Sequence, residues 1–309
     1  MSDKKYRLVT RADFDGIVSG TLLNELDMVD GVLFVEPKDM QDGKVAVTGD
    51  DITTNLPFVE GVHLCFDHHL SETERVGVKE NRIIDPDAPS AARVVYRYFG
   101  GRVGLPEISQ ELMNAVDQAD SAQYTREDIM APEGWTLLNF ILDPRTGLER
   151  LKQFSLPHDE LMKDMMTYCR HNPVEEILGL PDVVERVEVY KLHAESAELQ
   201  LRDCSKVDGR ILLTDLRSQD TVYLVNRFLG YALYPECNIS ITLNVGPEKN
   251  LTTIAVGKSI LDRSSKTSIG PLMLKYGGGG HAAAGTCRVD NGDVDRVLDE
   301  IIMAIKSDG

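Results

Sequence analysis

Acidic and histidine side chains recur in this 309-residue chain at the points where short apolar runs end. The clustered residues are Asp13, Asp15, Asp50, Asp51, Asp67, His68, His69, Asp117 and Asp120. Several carboxylates at one site repel one another unless cations lie among them. Carboxylate and imidazole groups together suit Mn²⁺, Mg²⁺ or Fe²⁺ better than a metal that prefers thiolates. The spacing therefore predicts a site for two of these divalent cations.

The adjacent pair His68 and His69 is the strongest of these signals. Asp and Gly after a strand are ordinary turn residues, so the segment DFDG alone more often forms a turn, and paired aspartates are commonly caps or solvated loops. A lone histidine is often a core residue, but two in sequence directly after Asp67 and an apolar run seldom are. Taken together and in this order, the clusters favour one site over several unrelated turns.

The elements that must position these residues alternate between short apolar runs and helical patterns. The pattern predicts strands at 7–10, 32–36, 44–49 and 62–66 and helices at 16–28 and 90–100, the second with Ser90 as its N-cap. Continuous apolar strands separated by helices indicate an α/β domain with a parallel, doubly wound sheet. In such sheets, binding groups gather beyond the carboxyl ends of the strands. On this assignment Asp50 and Asp51 follow the strand at 44–49.

Length and pattern divide the chain into two domains. We predict a metal-binding N-terminal domain at 1–181, a helical linker at 182–206 and a smaller, mixed α/β C-terminal domain at 207–309. Strand pairing in the C-terminal domain should be mostly antiparallel, and a helix is predicted at 220–232. The five scattered cysteines lack C-x-x-C spacing, which argues against disulfides and against a zinc finger.

The charge of the chain limits its partners. There are 33 Lys and Arg against 50 Asp and Glu, for a net charge of −17, which repels the backbone of long nucleic acid. A phosphorylated substrate must therefore meet a local cation. No apolar run is long enough for a signal peptide or a membrane span, so we expect a cytoplasmic protein without a membrane partner.

A second group of candidate residues lies in the C-terminal domain. Four consecutive glycines remove every side chain from a short stretch: Gly277, Gly278, Gly279 and Gly280. Backbone N–H groups can approach an anion closely there, although a helix C-cap is the plain alternative. His281 follows directly and favours a phosphate site. Upstream, Lys258 and Arg263 are the best candidates for the local cation in so acidic a chain.

With DHH at 67–69 and YGGGGHAAAG at 276–285, the sequence resembles the DHH phosphoesterase superfamily with its glycine-rich, DHH-associated C-terminal domain. The two motifs occur in the family's order and span nearly the whole chain. The resemblance implies a parallel N-terminal domain, a smaller C-terminal domain and a cleft between them. Members include RecJ-like exonucleases, nanoRNases that degrade short oligonucleotides, cyclic-dinucleotide phosphodiesterases and exopolyphosphatases.

The resemblance also implies a set of metal ligands in this chain: Asp13, Asp15, Asp51, His68 and Asp120. Asp51 would be the carboxylate that bridges two cations, with Asp50 as the alternative. Asp117 is the alternative to Asp120. By the same resemblance, His69 contacts substrate phosphate. Asp67 is expected to orient the neighbouring imidazole.

Two further expectations concern the substrate. In the family, the glycine loop and its histidine, here Gly277–Gly280 and His281, face the metal centre and hold the phosphate or nucleotide end of the substrate. Arg11 stands where the family usually has a further metal ligand, and a guanidinium group cannot bind a cation. We predict that Arg11 either pairs with spare carboxylate charge or binds a substrate phosphate, and that the first cation is weakly bound, substrate-dependent or absent.

The resemblance implies a metal-dependent phosphoesterase that hydrolyses phosphodiester or phosphomonoester bonds of short oligonucleotides or small nucleotides. Attack by metal-activated water needs no strong protein base, and His69 is a candidate proton donor to the leaving group. One alternative is an exopolyphosphatase, which needs a longer basic track than this sequence shows. The other, motivated by Arg11, is a non-catalytic nucleotide sensor. The expected partner is a small phosphorylated substrate or a short single-stranded oligonucleotide, and we allow for a homodimer.

Overall fold

A computed structural model describes residues 4–69, 77 and 79–308 of the chain. These residues fall into two compact units. The first consists of Met1–Gln123 with Pro132–Val189, and the second of Tyr124–Ala131 with Tyr190–Gly309. The predicted linker is largely helical, within the helix Pro181–Cys204, and the boundary between the units lies inside that helix.

The first unit is built on a five-stranded parallel sheet with the order β2-β1-β3-β4-β5. Its strands are β1 Tyr6–Thr10, β2 Val29–Phe34, β3 Asp51–Thr54, β4 Leu64–Asp67 and β5 Arg82–Ile84. The chain passes from β1 to β2 on one side and then crosses back over β1 to β3 on the other, so the order of the strands reverses at β1. The crevice beyond the carboxyl ends at such a switch point is where ligands bind in open α/β sheets.

Helices accompany this sheet along the chain. They are α1 Phe14–Glu25, α2 Pro37–Gln41, α3 Ala91–Tyr98, α4 Gly101–Gly104, α5 Gln110–Asp120, α7 Gly134–Leu142, α8 His158–His171 and α9 Val174–Leu178. Helix α1 is buried continuously over 14–23, including its polar residues Asp15, Ser19 and Thr21. It packs against α3, α5 and α8. Gly20 permits the contact with α8, since a Cβ there would lie 2.4 Å from Met166 Sδ.

One predicted strand does not form. Residues 44–49 are irregular, and β3 begins only at Asp51. The alternating residues Val45 and Val47 that suggested a strand instead pack, partly buried, against a small apolar cluster under this segment. Asp51 therefore begins a strand rather than following one, and Asn55 is the residue that follows β3.

The second unit contains a six-stranded sheet with the order β10-β11-β9-β8-β7-β6. Its strands are β6 Ser205–Asp208, β7 Ile211–Asp215, β8 Ile239–Val245, β9 Leu251–Lys258, β10 Gly279–His281 and β11 Ala284–Asp290. The pair β7 and β8 is parallel and the other pairs are antiparallel. The fold is therefore the predicted combination of a parallel α/β domain and a smaller mixed one.

Four further helices belong to the second unit, and the long helix α10 Pro181–Cys204 ends in it. The four are α6 Arg126–Met130, α11 Leu229–Leu233, α12 Ile269–Leu274 and α13 Val294–Asp308. The helix predicted at 220–232 is reduced to α11. The backbone N–H groups of Tyr223 and Leu224 donate instead to the side chains of Gln200 and His193 on α10, at 3.1 Å in each case.

Two expectations from composition can be compared with this fold. All five cysteines are free thiols, and four of them are buried, as predicted. In the part of the chain that the structure describes, no helix is both long enough and apolar enough to cross a membrane.

Candidate metal centre

Asp13 is positioned by the turn from β1 into α1. It is the N-cap of α1, and its Oδ1 accepts a hydrogen bond from Gly16 N at 3.0 Å. The turn is tight, since a Cβ at Gly16 would lie 2.0 Å from Arg11 O. The segment DFDG therefore does form the turn that its composition suggests, and that turn presents its two aspartates at the carboxyl end of the sheet.

Asp15 lies two residues further, in the first turn of α1, and its carboxylate binds the start of α3. Its Oδ2 accepts a hydrogen bond from Ala91 N at 2.9 Å, and its Oδ1 accepts one from Ala92 N at 2.7 Å. The carboxylate is almost fully buried, and the positive end of the α3 dipole favours its charge. Each oxygen keeps further lone-pair capacity for a cation.

His68 follows β4 and faces Asp120, the last residue of α5. Its Nδ1 lies 3.1 Å from Ala88 O, and because a carbonyl can only accept, Nδ1 carries the proton in this bond. Its Nε2 lies 2.9 Å from Asp120 Oδ2, yet it is buried without an aligned hydrogen-bond partner among the described residues. A metal-binding imidazole requires this arrangement, with one nitrogen anchored to protein and the other nitrogen facing the ligand site.

Asp15, His68 and Asp120 together form a cluster that can hold a cation. One ligand atom from each residue lies within 4.8 Å of the others. Two carboxylates and one imidazole match the donor preferences of Mn²⁺, Mg²⁺ and Fe²⁺. The buried Nε2 of His68 without an aligned partner also fits a missing metal bond. The residues present therefore fit a divalent cation.

Asp117, the alternative ligand to Asp120, is used differently. Its Oδ1 accepts a hydrogen bond from Ser90 Oγ at 2.8 Å, and its Oδ2 accepts one from Arg93 Nε at 2.8 Å. Ser90 is the N-cap of α3, as predicted, and it also accepts from Arg93 N. Asp117 therefore fastens α5 to the beginning of α3 and does not belong to the cluster.

Asp51 lies at the opposite edge of the sheet from this cluster. It begins β3, whose rise of about 3.3 Å per residue places it roughly 10 Å from the carboxyl end of the strand at Thr54. Its oxygens accept hydrogen bonds from Arg7 Nε at 2.7 Å, Arg7 Nη2 at 3.1 Å and Thr48 N at 2.6 Å. The prediction that Asp51 is the bridging ligand is therefore wrong. Asp50, its alternative, is exposed and pairs with Lys4 at 2.7 Å.

Asn55 holds the place at the carboxyl end of β3 that the sequence assignment gave to Asp51. Its Nδ2 donates to both oxygens of Asp13, at 3.2 and 3.3 Å. Arg11 Nε lies 3.4 Å from Asp13 Oδ2, so Arg11 does pair with carboxylate charge. Asp13 is thus surrounded by N–H donors and is not part of the cation cluster.

Arg145 is a residue of this site to which the sequence gave no role. Its Nε donates to Asp143 Oδ1 at 2.7 Å and Oδ2 at 3.1 Å, and its backbone N donates to Asp143 Oδ1 at 2.8 Å. The charges of Asp13 and Asp120 both act on its guanidinium. Arg145 lies in the turn segment DPRTG, where the pattern offers no sign of a site. The sequence signal that could have identified Arg145 is an arginine two residues after Asp143 in an acidic chain.

His69 is held by Asp67, the first residue of the DHH motif. His69 Nδ1 lies 2.8 Å from Asp67 Oδ1, which also accepts hydrogen bonds from the backbone N of His68 and of His69. Asp67 is buried, whereas the side chain of His69 is 54% exposed. The hydrogen bond to Asp67 raises the pKa of His69 above its ordinary value. Asp67 therefore fixes the orientation and favours the charged form of an accessible imidazole.

The carboxylates of the cluster are close together and largely buried, so a positive ligand would stabilise their charge. Burial raises the pKa of Asp15 to about 8, with a further rise from the charge of Asp120. Burial opposes the charge on His68, but the carboxylates of Asp120 and Asp15 raise its pKa to about 10. Burial also raises the pKa of Asp13, against the opposing effects of Arg11 and Arg145. A divalent cation favours the ionised carboxylates and the neutral imidazole, and it takes the place of these protons.

The glycine loop of the second unit is a hairpin of β10 with β11. Gly277 has a φ of +73° and follows α12 as the left-handed residue of a helix C-cap. The C-cap that the sequence offered as the alternative to a phosphate site therefore forms at this position. Gly278 and Gly280 pack on the backbone of β11, where a Cβ would lie 2.0 Å from Thr286 O and 2.2 Å from Ala284 O. At Gly279 no described atom lies within 4 Å of a built Cβ, so one face of the hairpin is open.

One of the two basic candidates, Lys258, adjoins this hairpin. The backbone N of Lys258 donates to Ala283 O at 2.9 Å, so the last residue of β9 adjoins the turn of the hairpin. His281 is exposed, and its Nδ1 accepts a hydrogen bond from Ala283 N at 3.2 Å. Arg263 is exposed in the loop that follows β9.

Comparison with known proteins gives three informative structures. No protein-family model and no curated protein sequence matches the chain. The pGpG-specific phosphodiesterase PggH from Vibrio cholerae is 51% identical with a TM-score of 0.88, and the match covers 99% of this chain and 100% of that one. CDC45 from Entamoeba histolytica is 9% identical with a TM-score of 0.61, covering 98% of this chain and 96% of that one. Mn²⁺-bound RecJ from Thermus thermophilus is 12% identical with a TM-score of 0.53, covering 98% and 52%. The last two likenesses are of fold alone.

Proposed function

This chain belongs to the DHH phosphoesterase superfamily, and on that premise we propose that its substrate is a short linear dinucleotide such as pGpG. It is a phosphodiesterase, a hydrolase that acts on phosphoric ester bonds of small oligonucleotides, as the sequence predicted. The observation that carries the proposal is the full-length match, at 51% identity, to a pGpG-specific phosphodiesterase. That match favours a phosphoesterase over both alternatives, the exopolyphosphatase and the non-catalytic sensor.

The reaction is hydrolysis of the phosphodiester that joins the two nucleosides. The oxygen of a water molecule bonds to the bridging phosphorus, one ester P–O bond breaks, and the departing ribose oxygen takes up a proton. With pGpG the products are two mononucleotides. The acidic chain suits so small a substrate, because a net charge of −17 opposes the approach of long nucleic acid.

The enzyme uses a divalent cation, and we propose Mn²⁺ held by Asp15, His68 and Asp120. The cation, when bound, supplies activation of water and neutralisation of phosphate charge. The protein keeps its ligands in place: α3 orients Asp15, and the Ala88 carbonyl fixes the ring of His68.

His69 has the geometry to act on the substrate itself. Asp67 binds its Nδ1 and raises its pKa, which favours the charged form, in which Nε2 also carries a proton. We propose that this N–H contacts a phosphate oxygen or protonates the departing ribose oxygen. Asp67 acts through His69, as a positioning residue.

We also propose a phosphate site in the second unit. It consists of the hairpin glycines Gly277, Gly278, Gly279 and Gly280 together with His281, Lys258 and Arg263. The open face at Gly279, the exposed imidazole of His281 and the adjoining Lys258 support this assignment. It would bind the terminal phosphate of the substrate through backbone N–H groups and cationic side chains.

A substrate panel tests the proposal. It contains pGpG, other linear di- to pentanucleotides, cyclic dinucleotides, phosphoadenosine phosphate and polyphosphate, with Mn²⁺ present and products resolved by chromatography. We expect pGpG to yield GMP at the highest kcat/KM. The matched control is Asp120→Asn, which removes a proposed ligand and should eliminate turnover. Preferential release of phosphate from polyphosphate, or no turnover of any compound, would overturn the proposal. A cytoplasmic location and a homodimer stay predictions.

A further inference from the structure

N–H groups approach both oxygens of the Asp13 carboxylate and compete with a cation for them. An ionised carboxylate offers about four lone-pair directions. Gly16 N and Asn55 Nδ2 face Oδ1, and Asn55 Nδ2 and Arg11 Nε face Oδ2. The neutral amide of Asn55 stands where β3 ends, so this strand brings no carboxylate to the site. Among residues 4–69, 77 and 79–308, the group that can hold a cation contains Asp15, His68 and Asp120 and excludes Asp13.

The side of the site that contains Asp13 instead carries two fixed cations, Arg11 and Arg145. Asp143, itself buried, binds both the backbone N and the side-chain Nε of Arg145, which fixes the direction of the guanidinium. Among the described residues, no hydrogen bond occupies the two terminal nitrogens of Arg145. The side chain is 41% exposed. The charges of Asp13 and Asp120 both act on this guanidinium.

We propose that this enzyme binds one divalent cation per chain, at Asp15, His68 and Asp120, and that the guanidinium groups of Arg145 and Arg11 contact the substrate phosphate in place of a second cation. A planar guanidinium presents two parallel N–H donors to two phosphate oxygens, and it is charged at every working pH. Donors already oriented in the protein stabilise developing charge without reorganisation. The inference rests on the proposed function for the identity of the phosphate.

Cation stoichiometry tests the first half of the inference without any substrate. We expect calorimetric titration of the chelator-treated protein with Mn²⁺ to give one site per chain, and electron paramagnetic resonance to show isolated Mn²⁺ ions. Two tightly bound ions, or a spin-coupled pair, would overturn the one-cation centre. The double variant Asn55→Asp with Arg11→His adds a carboxylate and an imidazole beside Asp13. It should bind a second Mn²⁺, and a stoichiometry still at one would contradict our account of why the second ion is excluded.

Binding of the product GMP tests the second half. With Mn²⁺ present, Arg145→Gln should bind GMP about 10- to 100-fold more weakly, as expected for the loss of charge-assisted hydrogen bonds, and should keep its Mn²⁺ stoichiometry. Arg150→Gln is the matched control, because Arg150 is 75% exposed and pairs with Glu149; its GMP affinity should not change. Unchanged GMP affinity in Arg145→Gln, or loss of its Mn²⁺, would overturn the role of Arg145.

The results of these experiments distinguish a failure of this inference from a failure of the proposed function. Arg145→Lys keeps the charge but loses the paired donors, so it should fall between the wild type and Arg145→Gln. If pGpG is not hydrolysed but GMP affinity depends on Arg145 and one Mn²⁺ binds, the proposed substrate fails and the inference stands. If pGpG is hydrolysed with two Mn²⁺ bound, the inference fails and the proposed function stands.

Discussion

Arg7 and Asp51 form a paired contact across the amino ends of β1 and β3, with Arg7 Nε 2.7 Å from Oδ1 and Nη2 3.1 Å from Oδ2. The two residues are direct neighbours in the strand register. The Asp51 side chain is only 2% exposed. The buried carboxylate of Asp51 therefore stabilises the sheet at the amino ends of its strands, whereas the proposed cation site lies at the carboxyl ends.

Replacing Asp51 should separate stability from metal binding. Asp51→Asn weakens the charged contacts to Arg7 and Thr48, so we expect the free energy of unfolding to fall by about 1–3 kcal/mol. Mn²⁺ affinity and turnover should not change. Urea denaturation and Mn²⁺ titration measure the two effects. The control Asp50→Asn removes an exposed pair with Lys4 and should cost at most about 1 kcal/mol. Loss of Mn²⁺ binding in Asp51→Asn would contradict our placement of the site.

The same carboxylate gives a dependence of stability on pH. Burial would raise the pKa of Asp51, but Arg7 and Thr48 lower it below its ordinary value. A lowered folded-state pKa stabilises the protein above the unfolded value of about 3.9, and this contribution is lost as pH falls through the folded value. The difference in unfolding free energy between wild type and Asp51→Asn should thus be constant from pH 7 to 5 and shrink below about pH 4. A difference that grows on acidification would refute this sign.

Asp120 and Asp117 provide a matched pair on one helix. Asp120→Asn removes a ligand, and Mn²⁺ affinity should fall by more than the roughly 10- to 100-fold typical of an outer-shell change. Asp117→Asn weakens the contacts to Ser90 and Arg93, so it should lower stability while Mn²⁺ remains bound. Calorimetric titration of both variants provides the measurement. The reverse pattern would exchange the two assignments.

His281 should affect turnover without affecting metal content. Because we place it on the substrate, His281→Ala should reduce kcat/KM for pGpG at least tenfold, while elemental analysis finds the wild-type amount of Mn²⁺. His171→Ala is the control, since His171 is a half-exposed histidine of the first unit outside the cluster. A His281→Ala protein that loses Mn²⁺ would show that this histidine is a ligand.

The predicted ligands include all three residues of the proposed cation cluster, and two of these adjoin strands that the pattern predicts well. The apolar run at 62–66 was predicted as a strand, and β4 forms over Leu64–Asp67. Asp67, His68 and His69 therefore lie at the end of a strand, as predicted. Asp15 similarly follows β1 through the turn of DFDG. In both cases the signal is local, since an apolar strand and the polar residues after it are contiguous.

The failures came from contacts that are distant in sequence. The alternation of Val45 and Val47 resembles a strand, but these residues pack as a loop on a tertiary cluster, and β3 starts later. Because β3 starts at Asp51, this residue lies at the amino end of the strand, and Asn55 is the residue that follows it. Arg145 was missed because its relation to Asp13 depends on how the chain returns after α7.

The hydrogen bonds from Ala91 and Ala92 to Asp15 limit how this enzyme can be inactivated by design. Asp15 is both a proposed ligand and the acceptor that completes the start of α3, so changing it leaves two buried amide groups without a partner. An inactive protein meant to trap substrate for crystallography should therefore carry a change at Asp120 instead. The same reasoning implies that, in natural variants that lose activity by drift, substitutions at Asp120 should arise before substitutions at Asp15.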